Sequence, residues 1–489
     1  MQKRIESFRR GDRCVGKYFL TTVLLIVFLQ LAASQPANAL PAFARKYGLR
    51  CSACHESWPM LNYFGQKFKD NGYQLMNERD SPIWQNPSYW PVTFRMVTFW
   101  HRVSTGKVLV DTYPGGTLVP NSAVQRVTTS GFDLSGLDFH TGGTLEKNFS
   151  FYVLPSSDSS GSFHFETVMA RLDNVFRSPW LNLKLGKFEL DNLLSEKRIL
   201  TLTGNGGIYQ LYHFIPVGDG NIFGQMGDNQ LGAELMGHSN DDRTRYSATL
   251  FSSVDGTPGL PYGSAYTGFF TFSQSFDVGK LGVDRIGGYA MVGQAPTYYL
   301  TSSGTPLAGT GTSNKGFHRE GFVGLFYFGQ HVDVQVVTQH GWDNAWFGQG
   351  YGALVSAGVP FNNTPGASLP VGSQAPTWNG VLVEPHYIYS PQLIFVGRYE
   401  TVLMSRQSQG PGYTGTGSSG FTGPQPSNFG NLSTYTLGFR YNPFMTSRAG
   451  FAWHNEYNWL HQVGTGPAIG LPTANVNTSE FLTGFDFDF

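Results

Sequence analysis

The stretch "TYTLGFRY", residues 434–441, sets Tyr435, Leu437, Phe439 and Tyr441 against Thr436, Gly438 and Arg440. A period of two marks a strand with one apolar and one polar face. The device recurs. Leu181, Leu183 and Leu185 alternate with Asn182 and Lys184, and Val332, Val334 and Val336 with Asp333 and Gln335. Phe451, Trp453, Tyr457 and Trp459 alternate with His454 and Glu456. Composition says which surface the apolar faces meet. Charged residues are 13% of the chain and aromatics 15%, with 61 glycines, yet mean hydropathy is only −0.20. After residue 39 no apolar run approaches the roughly 18 residues of a membrane helix. Aromatic, charge-poor and without helical spans, the chain reads as all-β, a transmembrane β-barrel whose lipid-facing and lumenal residues average to neutral hydropathy.

Strands are expected near 92–104, 129–141, 147–155, 162–172, 181–190, 229–238, 244–253 and 266–276. Further ones are expected near 284–293, 320–328, 331–340, 378–388, 392–403, 433–442, 450–459 and 479–489. Short connections (142–146, 277–283, 329–330, 389–391, 443–449) alternate with long ones rich in Gly, Ser, Thr and Pro (105–128, 294–319, 341–377, 404–432, 460–478). That order suits a barrel with both chain ends in the periplasm. Two weaker runs, 198–203 and 207–214, would raise sixteen strands to eighteen; sixteen is the expected count. A barrel of that size is expected to have an open lumen rather than a packed core. The last strand, "EFLTGFDFDF" (480–489), ends in Phe489 and is similar to the assembly signal of bacterial outer-membrane proteins.

The first 39 residues read as a secretory signal peptide. Lys3, Arg4, Arg9, Arg10, Arg13 and Lys17 precede the apolar run "FLTTVLLIVFLQLAA", and Ala37-Asn38-Ala39 supplies an A-x-A cleavage site. Without them the chain has 27 basic and 31 acidic residues, a formal charge of −4. No basic stripe points to nucleic acid.

Only two cysteines then remain, in "LRCSACHESWP" (49–59). Cys51, Cys54 and His55 form C-x-x-C-H, the attachment signature of a c-type haem. Each thiol adds across one haem vinyl group, and the adjacent imidazole becomes the proximal iron ligand. A zinc site would need two more ligands at similar spacing, and a thioredoxin-like dithiol a βαβ context; neither follows. One covalent haem c is therefore expected. Beyond the motif, Ser57 is expected to cap a helix with Pro59 in its first turn, ending at Asn71-Gly72. Leu61, Phe64 and Phe68 share one of its faces. About fifty residues bury too little surface to enclose a haem alone, so the barrel is expected to complete the pocket around a plug.

The expected organisation is a signal peptide (1–39), a monohaem cytochrome c segment (40–89) and an outer-membrane barrel (90–489). In this layout the chain resembles the fused monohaem cytochrome–porins of bacterial outer membranes, best known as the outer-membrane cytochromes of iron-oxidising bacteria. The specific match lies in residues 41–75, at Phe43, Arg45, Cys51, Cys54, His55, Pro59, Leu61, Asn62, Gly65 and Gly72. The resemblance implies electron transfer across the outer membrane, from extracellular Fe(II) to a periplasmic carrier, and hence an Fe(II)-oxidising role. An outward conduit and a solute porin with a haem-bearing plug are the alternatives. For the sixth iron ligand, Met60 lies too close to His55 in sequence. Met76 has enough slack and is the first choice, and His101 on the first strand is the alternative. Lys184, Arg245, Asp333, Glu384, Arg398 and Glu456 read as ordinary lumen lining.

Overall fold

The computed structural model describes residues 41–57, 59–75, 80, 82, 91–157, 160–204, 207–217, 226–227, 229–252, 265–296, 314–347, 369–415, 423–445, 449–464 and 475–488. The signal-peptide reading, Met76 and Phe489 lie outside them.

A short antiparallel pair, β1 (His55–Ser57) and β2 (Met60–Leu61), precedes sixteen longer strands. These are β3 (Val92–Thr112), β4 (Val119–Glu146), β5 (Phe149–Ser157), β6 (Phe163–Leu172), β7 (Asn182–Glu189) and β8 (Asn229–His238). Then come β9 (Thr244–Ser252), β10 (Tyr266–Asp277), β11 (Val283–Pro296), β12 (Asn314–Tyr327) and β13 (Val332–Asp343). The last five are β14 (Thr377–Ser390), β15 (Leu393–Arg406), β16 (Leu432–Met445), β17 (Gly450–Val463) and β18 (Asn475–Asp488). Each pairs antiparallel with its neighbours, and β18 pairs with β3 from Thr478↔Thr105 to Asp488↔Arg95, which closes the barrel. Closure leaves no strand edge with unpaired backbone groups.

The barrel is inverted relative to a soluble protein. On β16, Thr434, Thr436 and Arg440 are buried in the lumen, whereas Tyr435 and Leu437 face outward, Leu437 at 69% exposure. On β13, Asp333, Gln335 and Gln339 point in and Val332, Val334 and Val336 point out. The period-two reading thus gives the correct facing. The strands run further than alternation indicates at the long-loop end, where β3 reaches Thr112 and β4 begins at Val119.

The expectation of an open lumen is not met. β7 and β8 have only 8 and 10 residues, and between them the chain turns inward and crosses the barrel. Runs 198–203 and 207–214 are therefore not wall strands, and the strand count stays at sixteen. Their stretch holds extended chain and a short helix, α4 (Gln210–His213), with Leu211 and Tyr212 buried. Lumenal side chains satisfy its backbone. Glu456 accepts from the N–H groups of Leu202 and Thr203 (2.7 and 2.8 Å), and Glu480 from Gly204 N–H at 3.0 Å. Glu400 accepts from Leu211 N–H, and Gln339 donates to the Leu211 carbonyl at 2.9 Å. Tyr209, Leu211, Tyr212 and Phe214 then pack with Phe347, Trp378, Met404, Leu432 and Leu460 into an apolar cluster towards the long-loop end. The lumen has a core because a wall-to-wall segment brings apolar side chains into it and the wall pairs its backbone groups.

Candidate haem site

The other half of the lumen, towards the short turns, holds the N-terminal segment. It comprises α1 (Pro41–Tyr47), α2 (Cys51–Cys54), the β1–β2 pair and α3 (Tyr63–Asp70). Asn62, not Ser57, caps α3. Its Oδ1 accepts from Gly65 N–H at 2.9 Å, while its Nδ2 donates to the Ala53 carbonyl at 3.1 Å. Ser57 lies instead on β1, where its hydroxyl accepts from Asn442 Nδ2 at 3.2 Å. Pro59 belongs to the turn between β1 and β2. Asn71 is the C-cap, and Gly72 follows at φ +68°, the left-handed geometry that lets a helix stop. The segment also explains Gly65, since a Cβ there would meet the Cys54 carbonyl oxygen at 2.0 Å. Asn62 and Gly65 together press α3 onto the C-x-x-C-H turn. Phe68 is buried as expected, whereas Phe64 is 40% exposed.

Long lumenal side chains fasten this segment to the wall. On α1, Ala42 N–H donates to Thr93 Oγ1 at 3.1 Å, Arg45 to the Val92 carbonyl at 2.8 Å and Lys46 to Thr144 Oγ1 at 2.9 Å. At the end of α3, Arg171 donates to the carbonyls of Lys69 and Asp70 (2.8 and 2.7 Å), groups that a helix terminus leaves unpaired. Arg245 pairs with the Asp70 carboxylate at 2.7 Å and with Asp191 at 3.3 Å. The Asp70 carboxylate, a buried anion at the negative end of a helix, is held by Arg245, while Arg171 takes the Asp70 carbonyl. Arg245 is thus a plug anchor rather than ordinary lining, as are Arg398, which donates to Thr201 Oγ1 at 3.1 Å, and Glu456. Lys184 pairs within the wall with Glu234 at 2.5 Å, and Asp333 and Glu384 grip His386 at 2.8 and 2.9 Å. Arg245→Ala leaves Asp70 without its cation. We expect the docked segment to lose about 3–5 kcal/mol, read as faster hydrogen exchange in residues 41–75 with the barrel strands still protected. Asp70→Asn in the same chain should recover part of the loss.

Between the N-terminal segment, the crossing segment and the wall of β3–β7 lies a cavity of about 430 Å³ onto which Cys54 and His55 open. That volume falls within the roughly 300–1,000 Å³ of cofactor sites. Cys51 begins the same turn and is buried, and neither cysteine is in a disulfide. Burial raises both thiols, Cys54 to about 11. His55 is 6% exposed, and burial pushes its imidazole down to about 4, so it is neutral at ordinary pH, the form that ligates iron. Its Nδ1 sits 3.1 Å from the Pro59 carbonyl. A proton held there leaves Nε2 as the lone-pair nitrogen, the usual arrangement behind a metal-bound histidine.

The walls suit a flat apolar ring. Phe43 stacks on Tyr73 at 4.9 Å between ring centroids and meets Phe68 edge-on at 5.4 Å. This aromatic group packs on Met169, Phe188 and Tyr152 of the wall. Lys69, Arg95, Lys197 and Arg198 also line the cavity. Arg198 and Lys69 share Glu189 at 2.8 and 3.8 Å, and Lys197 meets Glu166 at 3.1 Å. Burial, and then the neighbouring Arg198, lowers the Lys69 ammonium to about 8, and Asp138, Glu166, Glu189 and Glu196 line the cavity beside these basic groups. The residues present fit a haem c.

Of the residues singled out in the sequence, Cys51, Cys54 and His55 come together on one turn. Met60 is buried with Leu200, Ile394 and Val396, its sulfur 3.6 Å from Gln335 Nε2. His101 does not line the cavity, and its Nε2 is taken by Glu480 at 2.5 Å; this removes it as an iron ligand.

No protein-family model matches the chain, and no curated protein matches its sequence. Among solved structures it is similar to OmpT, an outer membrane protein of Vibrio cholerae in its trimer form, with 10% identity over 81% of this chain and 99% of that one and a TM-score of 0.45. It is similar to an anion-selective porin from Comamonas acidovorans, with 11% identity over 81% and 99% and a TM-score of 0.46. It is similar also to OprB of Pseudomonas putida, with 10% identity over 89% and 99% and a TM-score of 0.42. These likenesses concern the barrel fold alone.

Proposed function

We propose that the chain is an electron-transfer protein of the bacterial outer membrane, carrying one covalent haem c and moving electrons from extracellular Fe(II) to a periplasmic carrier. The observation that carries this reading is the C-x-x-C-H turn itself, with a neutral, buried His55 opening onto a cavity inside the barrel. Haem c, when bound, supplies a one-electron couple. The chain's own residues do the rest. Cys51 and Cys54 would fix its position, His55 would present one nitrogen, and the aromatic wall of Phe43, Phe68 and Tyr73 would cover its ring.

The outward face, rich in exposed residues such as Leu437, Phe270, Phe322 and Phe485, supports lipid as its surroundings. The long loops then face outside and the short turns the periplasm. The filled lumen favours electron transfer over solute diffusion, because the crossing segment and its apolar cluster occupy the middle of the path. Anaerobic redox titration followed by stopped-flow mixing with Fe(II) tests the reading. The oxidised protein is expected to be reduced by Fe(II) and reoxidised by a periplasmic acceptor. No reduction by Fe(II), alongside fast reoxidation by an extracellular acceptor, would reverse the direction. A large steady conductance in planar bilayers would instead favour the solute porin.

A further inference from the structure

The cavity has a second imidazole. His140 lies on β4, where its register partner across to β3 is Thr93. Paired residues of an antiparallel ladder share a face, and Thr93 faces inward, accepting from Ala42 of α1. His140 is thus placed on the lumenal side beside the N-terminal segment, and it lines the same cavity as His55. Its two nitrogens differ. Nδ1 is 2.5 Å from the Tyr152 hydroxyl on the adjacent strand. Nε2 is buried and has no hydrogen-bond partner among the described residues. A buried ring nitrogen without a partner is destabilising, and such a group calls for an explanation. Lys69 and Lys197, the cavity's other nitrogen bases that titrate, already face Glu189 and Glu166. His55 and His140 are the two histidines lining the cavity.

We propose that His140 is the second axial ligand of the haem held by Cys51, Cys54 and His55, so that the barrel wall completes a bis-histidine iron site. This rests on the haem c reading above. In this arrangement Tyr152 does for His140 what the Pro59 carbonyl does for His55: each fixes the ring through Nδ1 and leaves Nε2 for iron. Two imidazoles set a lower potential than an imidazole with a thioether. Both Nδ1 partners are uncharged, and Lys69, Lys197 and Arg198 around the cavity are paired with Glu189 and Glu166.

The test is electron paramagnetic resonance and optical spectroscopy of the full chain, with pyridine haemochrome quantification on each sample. The unmodified protein should be low-spin in both oxidation states, with the signature of two nitrogen ligands. His140→Ala should keep its covalent haem, become high-spin and return to low-spin when imidazole is added. His140→Met should stay low-spin, show a sulfur-to-iron charge-transfer band and titrate at a higher potential. A thioether signature in the unmodified chain, or a low-spin spectrum unchanged in both variants, would overturn His140 while leaving the haem c reading intact. Absence of covalent haem in the unmodified chain would remove the reading beneath it.

Discussion

Denatured in alkaline pyridine, the purified chain should give one c-type haem per polypeptide, and a Cys51→Ala, Cys54→Ala double variant should give none. Stoichiometry follows from the sequence, because Cys14 is the only other thiol and sits in the segment read as a signal peptide. The all-or-none character follows from chemistry. Each cysteine makes one thioether bond, and without both the haem is at most held by His55 and the cavity walls, which denaturation destroys. A single Cys54→Ala change should leave a one-bond attachment with a shifted pyridine band, or none. Covalent haem surviving in the double variant would refute the assignment outright.

The second large effect is expected from cutting the chain. Residues 40–89, matured with haem but expressed without the barrel, should show no cooperative melting and should not reproduce the potential of the full protein. The reason is where their contacts lie. In the fragment, Asp70 loses Arg171 and Arg245, and Lys46 loses Thr144. The Phe43, Phe68 and Tyr73 rings lose the Met169, Phe188 and Tyr152 surface. A piece this short buries too little of its own area to compensate. A fragment that melts cooperatively and matches the full-length potential would show that the segment is a self-sufficient domain and that the wall is only its container.

The barrel was legible because its signal is local and repeated: an inward–outward alternation on β13 or β16 can be read without knowing the neighbour. The crossing segment is harder to read for the same reason. Extended chain running through a lumen alternates between wall and core contacts, so 198–203 looks like a strand although its N–H groups pair with Glu456 rather than with a ladder. Ser57, the expected cap of α3, lies on β1 instead, and the helix starts only at Tyr63. Asn62 wins because its amide reaches both Gly65 and Ala53. His140 carried no local mark at all. In "GLDFHTGG" it is one lumenal residue among many, and only the register that sets it beside Thr93 and next to Tyr152 brings it to the cavity.

The pairing of β18 with β3 has a consequence for biogenesis. The cavity that receives Cys54 and His55 is walled by β3–β7 and the crossing segment, inside a ring whose first and last strands are hydrogen-bonded to each other. Such a ring shuts only when the final strand has been delivered. On the haem c reading, a rigid macrocycle joined to Cys51 and Cys54 would have no lateral gate to enter by once β18 has arrived. Maturation would then come before membrane assembly, with the N-terminus finished before the C-terminus locks. A chain that reached the assembly stage without its haem would close around an unfilled chamber.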